Sequence, residues 1–275
     1  PIQDSWLMSV DLNSIPYIDN SVRLPKSGTC SKDFDCSSKD ACDLCYNHCG
    51  SCPAANDLYG CSSKSDWALT FQQAPTAKTG ELLRILQSTN TTATFFVQGS
   101  HLAQYGQFIK QAYAQGHQIG SMGWSNAHLP TLTNEQIIAE FRATEEAIQA
   151  LIGVSPLYVQ APYGEADRRV KSLLGAMGYT MVFWNVDTLD WFYEGSKDSP
   201  KKIVDGMVGA LNSLSPLDHG FSRAPGHVSR QTDGLTITKT IQNDIVRSLH
   251  QEKVRFVSAL TCTGKKDLPM YVAMD

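Results

Sequence analysis

No run of apolar residues in this 275-residue chain approaches the roughly 20 needed to cross a bilayer, which argues against an integral membrane protein. Basic clusters are missing as well. Lys201-Lys202 and Lys265-Lys266 are isolated pairs in a chain of formal net charge -4, so the electrostatic footprint of a nucleic-acid binder is absent. There is no internal repeat and no low-complexity segment. An initiating Met is absent too: Pro1 fits a processed or truncated product, with any signal peptide or anchor beyond the given ends. At 42% hydrophobic and 18% charged residues, the chain can bury the core of one large α/β domain, alone or with an appendage.

One further absence bears on chemistry. The apolar strand Ala68-Leu69-Thr70-Phe71 ends in Gln72-Gln73-Ala74-Pro75, with no carboxylate. In a repeating strand and helix protein, groups just past a strand's C-terminal end line the working face. A neutral amide there can hydrogen-bond a ligand, but it is no general base at pH 7 and a poor ligand for a hard metal ion.

What the chain does have is cysteine. Cys30, Cys36, Cys42, Cys45, Cys49, Cys52 and Cys61 crowd one Ser/Asp/Gly-rich stretch, and Cys262 stands alone near the other end. An even count in a loop-like segment reads as a disulfide framework in an oxidising compartment, with one bridge tying Cys262 back to the cluster. The competing reading is zinc, because Cys42-x-x-Cys45 and Cys49-x-x-Cys52 have the spacing of paired metal ligands. The sequon Asn90-Thr91-Thr92 agrees with a secretory route.

Residues 1–29 read as an extended arm, 30–64 as a cross-linked loop region and 263–275 as a tail. Between them strands and helices alternate. Strands are expected at 66–71, 94–97, 118–121, 157–160, 180–184, 220–223 and 255–258, and helices between them. Thr133-Asn134-Glu135-Gln136 has capping-box spacing, and Ser199-Pro200 supplies an N-cap and a first-turn proline. Seven strands alternating with helices imply a parallel α/β sheet, doubly wound or closed as a barrel. Its C-terminal face would gather Trp124, Tyr163, Trp184 and Trp191 beside amides and the carboxylates Asp187 and Asp190. Rings beside polar groups suit a sugar-binding groove, although each Trp taken alone is equally well a core residue.

From about Cys45 to Ser258 the chain resembles the polysaccharide deacetylases of carbohydrate esterase family 4, the NodB-homology proteins, and their fungal chitin deacetylase branch in particular. The resemblance rests on five ordered stretches: 66–71, 93–99, 116–121, Ala161-Pro162-Tyr163-Gly164 and Trp184-Asn185-Val186-Asp187-Thr188-Leu189-Asp190-Trp191. It implies a distorted (β/α) barrel over residues 65–262 and a groove for chitin or another N-acetylated glycan, with Trp124, Tyr163, Asp187, Asp190 and Trp191 as ligand contacts. It does not bring the chemistry with it. The family's catalytic base and first metal-binding Asp fall on Gln72 and Gln73, its two metal-binding histidines on Met122 and Asn126, its base-pairing Arg on Gln160 and its acid histidine on Gly226. The family's zinc-type ion is therefore expected to be lost, leaving a secreted or cell-wall-associated glycan binder. Two other readings are an active deacetylase rebuilt around His128, His227 and Asp187, with Asp190 and Glu165 as further oxygen donors, and a structural or host-interaction protein that uses the Cys-rich segment. In the blander view His128 is a loop histidine, His117 a satisfied structural one, and Asp187 and Asp190 are caps or partners of Arg223.

Overall fold

The computed structural model describes residues 2–18, 54, 57–197, 199–212, 224–265 and 268–273. Its strands are β1 (Asp66–Ala74), β2 (Thr94–Val97), β3 (Gln118–Ser121), β4 (Val154–Pro156), β5 (Tyr158–Val159), β6 (Thr180–Met181), β7 (Val186–Asp187), β8 (His227–Thr232), β9 (Arg255–Phe256) and β10 (Tyr271–Ala273). The helices are α1 (Asp4–Met8), α2 (Thr79–Ser88), α3 (Leu102–Ala114), α4 (Asn134–Ile152), α5 (Arg168–Ala176), α6 (Asp190–Tyr193), α7 (Ser199–Ala210), α8 (Thr236–Gln251) and α9 (Ala259–Cys262). Seven parallel strands pair in the order β6-β5-β3-β2-β1-β8-β7 and curl into a half-barrel; β9 joins the N-terminal end of β1.

Strand alternation divides the core. In β1, Trp67, Leu69 and Phe71 face outward into a layer shared with Leu82, Leu83, Ile241 and Ile245 of the covering helices. Ala68 faces inward with Phe96, Met122, Tyr158, Val182 and Val228. By the same parity Thr70 and Gln72 point into the barrel, as do Arg230 and Thr232 of β8. The barrel lumen is thus apolar at its base and polar at its mouth.

Three departures from the sequence reading shape the site. The expected strand at 220–223 lies outside the described residues; the strand that follows beside β1 is β8, seventh of the parallel series in chain order after an unexpected β7. His227-Val228-Ser229-Arg230-Gln231-Thr232 carries little apolar signal, yet all six residues are buried. Polar bonds hold it: Trp67 Nε1 donates to Ser229 Oγ at 2.8 Å and Thr70 Oγ1 to the Ser229 carbonyl at 2.8 Å. Second, the expected strand at 157–160 is the two-residue β5, and an unexpected strand precedes it. That strand, β4, pairs antiparallel with β10, so part of the tail docks on the barrel. Third, the arm is not simply extended. Helix α1 packs on α4, with Trp6 Nε1 donating to Glu146 Oε1 at 2.6 Å, and Val10 and Ile15 are buried.

Other expectations hold. The Thr133–Gln136 capping box is present with both reciprocal bonds. Cys61 and Cys262 form a disulfide across 201 residues of sequence, joining the segment before β1 to α9. The other six cysteines lie outside the described residues.

Candidate functional site

The strands deliver their C-terminal loops to one mouth. A groove of about 410 Å³ opens there, lined by Gln73, Tyr163, Trp184, Asp187, Trp191, Arg230, Thr232 and Leu235. Four non-glycine residues on this face, Gln73, Asn126, Tyr163 and Leu189, have positive φ of 52–61°. Each such conformation costs on the order of 1–3 kcal/mol and is held by its surroundings. For Gln73 the holding groups are explicit: its N–H donates to Met122 Sδ at 2.9 Å and its carbonyl accepts from His101 Nδ1 at 3.0 Å.

The centre of the mouth is an amide–guanidinium contact. Gln72 is 1% exposed, and its Oε1 accepts from Arg230 Nε at 2.7 Å. The guanidinium also lies 3.4 Å from the Asp187 carboxylate and 5.3 Å from the Trp184 ring. Asp187 is held independently by Leu189 N at 2.9 Å and Trp184 Nε1 at 3.1 Å. Gln160 is fully buried, and neither its Oε1 nor its Nε2 finds a partner among the described residues; nor does Gln72 Nε2. Met122 is 1% exposed and packs in the apolar lumen. Asn126 Nδ2 donates to Tyr163 Oη at 3.0 Å. Among the described residues no three His, Cys, Asp or Glu side chains gather as ligands for one ion.

The aromatic side chains frame this centre. Trp191 is 54% exposed and Tyr163 44% exposed, both on the groove. Tyr163 stacks on His128 at 4.2 Å, and His128 Nδ1 lies 2.7 Å from Glu165 Oε2. Trp124, also exposed, sits in the loop after β3; Glu140 accepts from Trp124 N and Ser125 N at 2.7 and 2.8 Å. Its ring lies on Gly99, where a Cβ would come within 2.4 Å of it.

Several expected site residues stand elsewhere. Gly226 precedes β8 at the opposite end of the barrel, where its N–H bonds the Cys61 carbonyl at 2.9 Å and a Cβ would meet Ser63 O at 2.1 Å. It is a close-packing glycine and not a site position. The side chains that β8 brings to the mouth are those of Arg230 and Thr232, which the sequence reading missed because it placed the strand too early. His227 pairs in register with Trp67 and packs on its ring at 4.5 Å, far from the mouth, so His128, His227 and Asp187 do not form one site. Burial pushes the His227 imidazole below its usual range. Asp190 is fully buried rather than ligand-facing. Its carboxylate accepts from Thr232 N at 2.7 Å, Thr238 Oγ1 at 2.5 Å and Trp191 N at 2.8 Å, fixing α6 beneath the groove. Burial raises its pKa against the pull of these bonds and of Arg230. The partner of Asp187 is Arg230; Arg223 lies outside the described residues. His117 accepts from Ala93 N through Nδ1 at 3.2 Å, and burial lowers its pKa to about 4.

Residues 59–182 match the polysaccharide deacetylase family. Chitin deacetylase 1 of Cryptococcus neoformans var. grubii is 30% identical over 278 residues, covering 97% of this chain and 57% of the relative. A chitin deacetylase of Pestalotiopsis is 35% identical over 147 residues, 52% of this chain and 49% of that protein. The chain thus spans about half the length of these curated relatives. Among solved structures, the chitin deacetylase of Colletotrichum lindemuthianum superposes with a TM-score of 0.72 at 25% identity, covering 81% of this chain and 98% of that one. A protein described as a CE4 family pseudoenzyme superposes with a TM-score of 0.65 at 18% identity, covering 78% of this chain and 73% of that one. The half-barrel therefore contains a polysaccharide deacetylase domain of the NodB-homology, carbohydrate esterase family 4 type.

Proposed function

We propose that this chain is a secreted, non-catalytic binder of chitin or a related N-acetylated glycan. The observation that carries the reading is the Arg230–Gln72 contact: a fixed guanidinium occupies the mouth, bonded to an amide where a deacetylase would need a carboxylate base. The donor set around it does not suit a divalent ion. Met122 Sδ is spent on Gln73 N, the Asn126 amide is engaged with Tyr163, and a positive guanidinium stands beside Gln72. Hard and borderline cations need carboxylates or imidazoles in these places, and the groups present do not fit one.

Binding needs less. Trp191 and Tyr163 offer exposed ring faces to the apolar faces of pyranose units, and Gln73, Asp187, Arg230 and Thr232 offer donors and acceptors to hydroxyl and acetamido groups. Because the polar groups are held by one another before a ligand arrives, binding orders few side chains. The test is calorimetric titration with chitotetraose. Trp191→Ala should weaken binding by about tenfold or more, the equivalent of about 1.4 kcal/mol. Absence of measurable binding by the unmodified chain would refute the reading.

A further inference from the structure

The end of the barrel opposite the groove carries a second feature, independent of the first. Asn90-Thr91-Thr92 is the sole Asn-x-Ser/Thr triplet in the sequence. It forms the turn from α2 into β2, so it sits at the N-terminal end of the strands. Asn90 is exposed and adopts φ of 50°. The turn is fixed by backbone bonds from Asn90 N to Gln87 O at 3.1 Å and Thr91 N to Leu86 O at 2.9 Å, while Thr91 is buried and its hydroxyl lies 3.0 Å from that of Thr89. No hydrogen bond of the Asn90 carboxamide or the Thr92 hydroxyl occurs among the described residues, so both functional atoms of the triplet are uncommitted.

Beside this turn runs a shallow depression of about 440 Å³ between the end of α2 and the last turns of α8. Its walls are Thr89, Asn243, Val246, Arg247, His250 and Gln251. Thr89 is the chain neighbour of Asn90, whose Cα lies about 3.8 Å from that of Thr89 across a trans peptide. Val246 lies beneath the floor at 1% exposure, and the exposed walls carry amide, guanidinium and imidazole groups that take a sugar's hydroxyls. The Cys61–Cys262 disulfide requires an oxidising compartment, the same route on which Asn-linked sugars are attached.

We propose that Asn90 carries an N-linked glycan whose proximal sugars lie in the groove between α2 and α8, against Arg247 and His250. Attachment joins the Asn90 Nδ2 to the reducing-end carbon of a lipid-linked oligosaccharide and releases the lipid pyrophosphate. The attached chain covers the face opposite the ligand groove and leaves that groove open, so a polymer is met from one side only.

The test uses the full chain secreted from a eukaryotic host, with intact mass measured before and after peptide N-glycosidase. The expected result is a mass loss confined to the Asn90 peptide, with that residue converted to Asp. Asn90→Gln and Thr92→Ala should abolish the loss, whereas Thr92→Ser should keep it. Docking is read from the rate of enzymatic release on the folded protein. Replacing the exposed Arg247 and His250 together by Ala should speed native release by roughly tenfold, with release from denatured protein unchanged. A chain without sugar at Asn90, or a native release rate that the double substitution does not change, would overturn the proposal.

Discussion

Removing the Arg230 guanidinium probes the mouth most sharply. Arg230→Met deletes a charge-assisted hydrogen bond at 2.7 Å to a Gln72 side chain that is 1% exposed, and leaves both polar atoms of that amide unpartnered. A hydrogen bond to a charged group contributes about 1.5–3 kcal/mol, and an orphaned buried acceptor adds to the loss, so a destabilisation of roughly 2–4 kcal/mol is expected. For a chain of this size that lowers the melting temperature by roughly 4–7 °C. Gln72→Met alone should cost about 1–3 kcal/mol, because it strands a largely buried cation whose remaining contact with Asp187 is a loose 3.4 Å. The double variant replaces the pair with apolar groups, and its cost should fall short of the sum of the singles by about 1–2 kcal/mol. Urea denaturation of the four proteins gives the cycle. Additive costs, within about 0.5 kcal/mol, would refute the claim that these two side chains act as one unit.

Three further outcomes follow from the same contacts. Restoring carboxylates at Gln72→Asp and Gln73→Asp should create no tight zinc site, since Met122 and Asn126 remain and Arg230 neutralises the new charge at Gln72; tight uptake on calorimetric titration would contradict this. Burial holds the Asp233 pKa up at about 6 and the His117 pKa down at about 4, so their effects on stability oppose each other. Asp233 contributes stability that is present below its unfolded pKa of 3.8 and lost as pH rises through about 6, whereas His117 contributes stability that is present above 6.5 and lost as pH falls through about 4. Asp233→Asn should therefore lose stability more steeply than the parent between pH 6 and pH 4, and parallel profiles in denaturant titrations would count against it. Cys262→Ser should cost about 2–5 kcal/mol by freeing a closure that spans 201 residues, and an unchanged denaturation midpoint would show that the bridge carries no stability.

Much of this architecture was legible because apolar periodicity and capping chemistry are local. Asp66–Phe71 reads as a strand from its own residues, and Thr133–Gln136 announces the start of α4. The illegible parts are those whose burial is satisfied by distant polar partners. Strand β8 has one strong apolar residue, Val228, and earns its place through Trp67 and the β1 ladder. Misplacing it moved Gly226 into the site and hid Arg230. Asp190 follows a strand as a ligand would, yet it is consumed by Thr232 and Thr238, which lie more than 40 residues along the chain. His101, which fixes Gln73 through a backbone carbonyl, leaves no sequence signal. Cys262 was expected to return to the N-terminal cluster, but only the fold selects Cys61 as its partner.

The central claim, a glycan groove without deacetylation, is tested most directly by one preparation assayed twice. Chitotetraose binding is measured by calorimetry, and acetate release is followed on the same sample with zinc or cobalt added and the protein's metal content determined. The account predicts saturable binding with neither acetate release nor stoichiometric metal. Turnover accompanied by one bound ion per chain would contradict it.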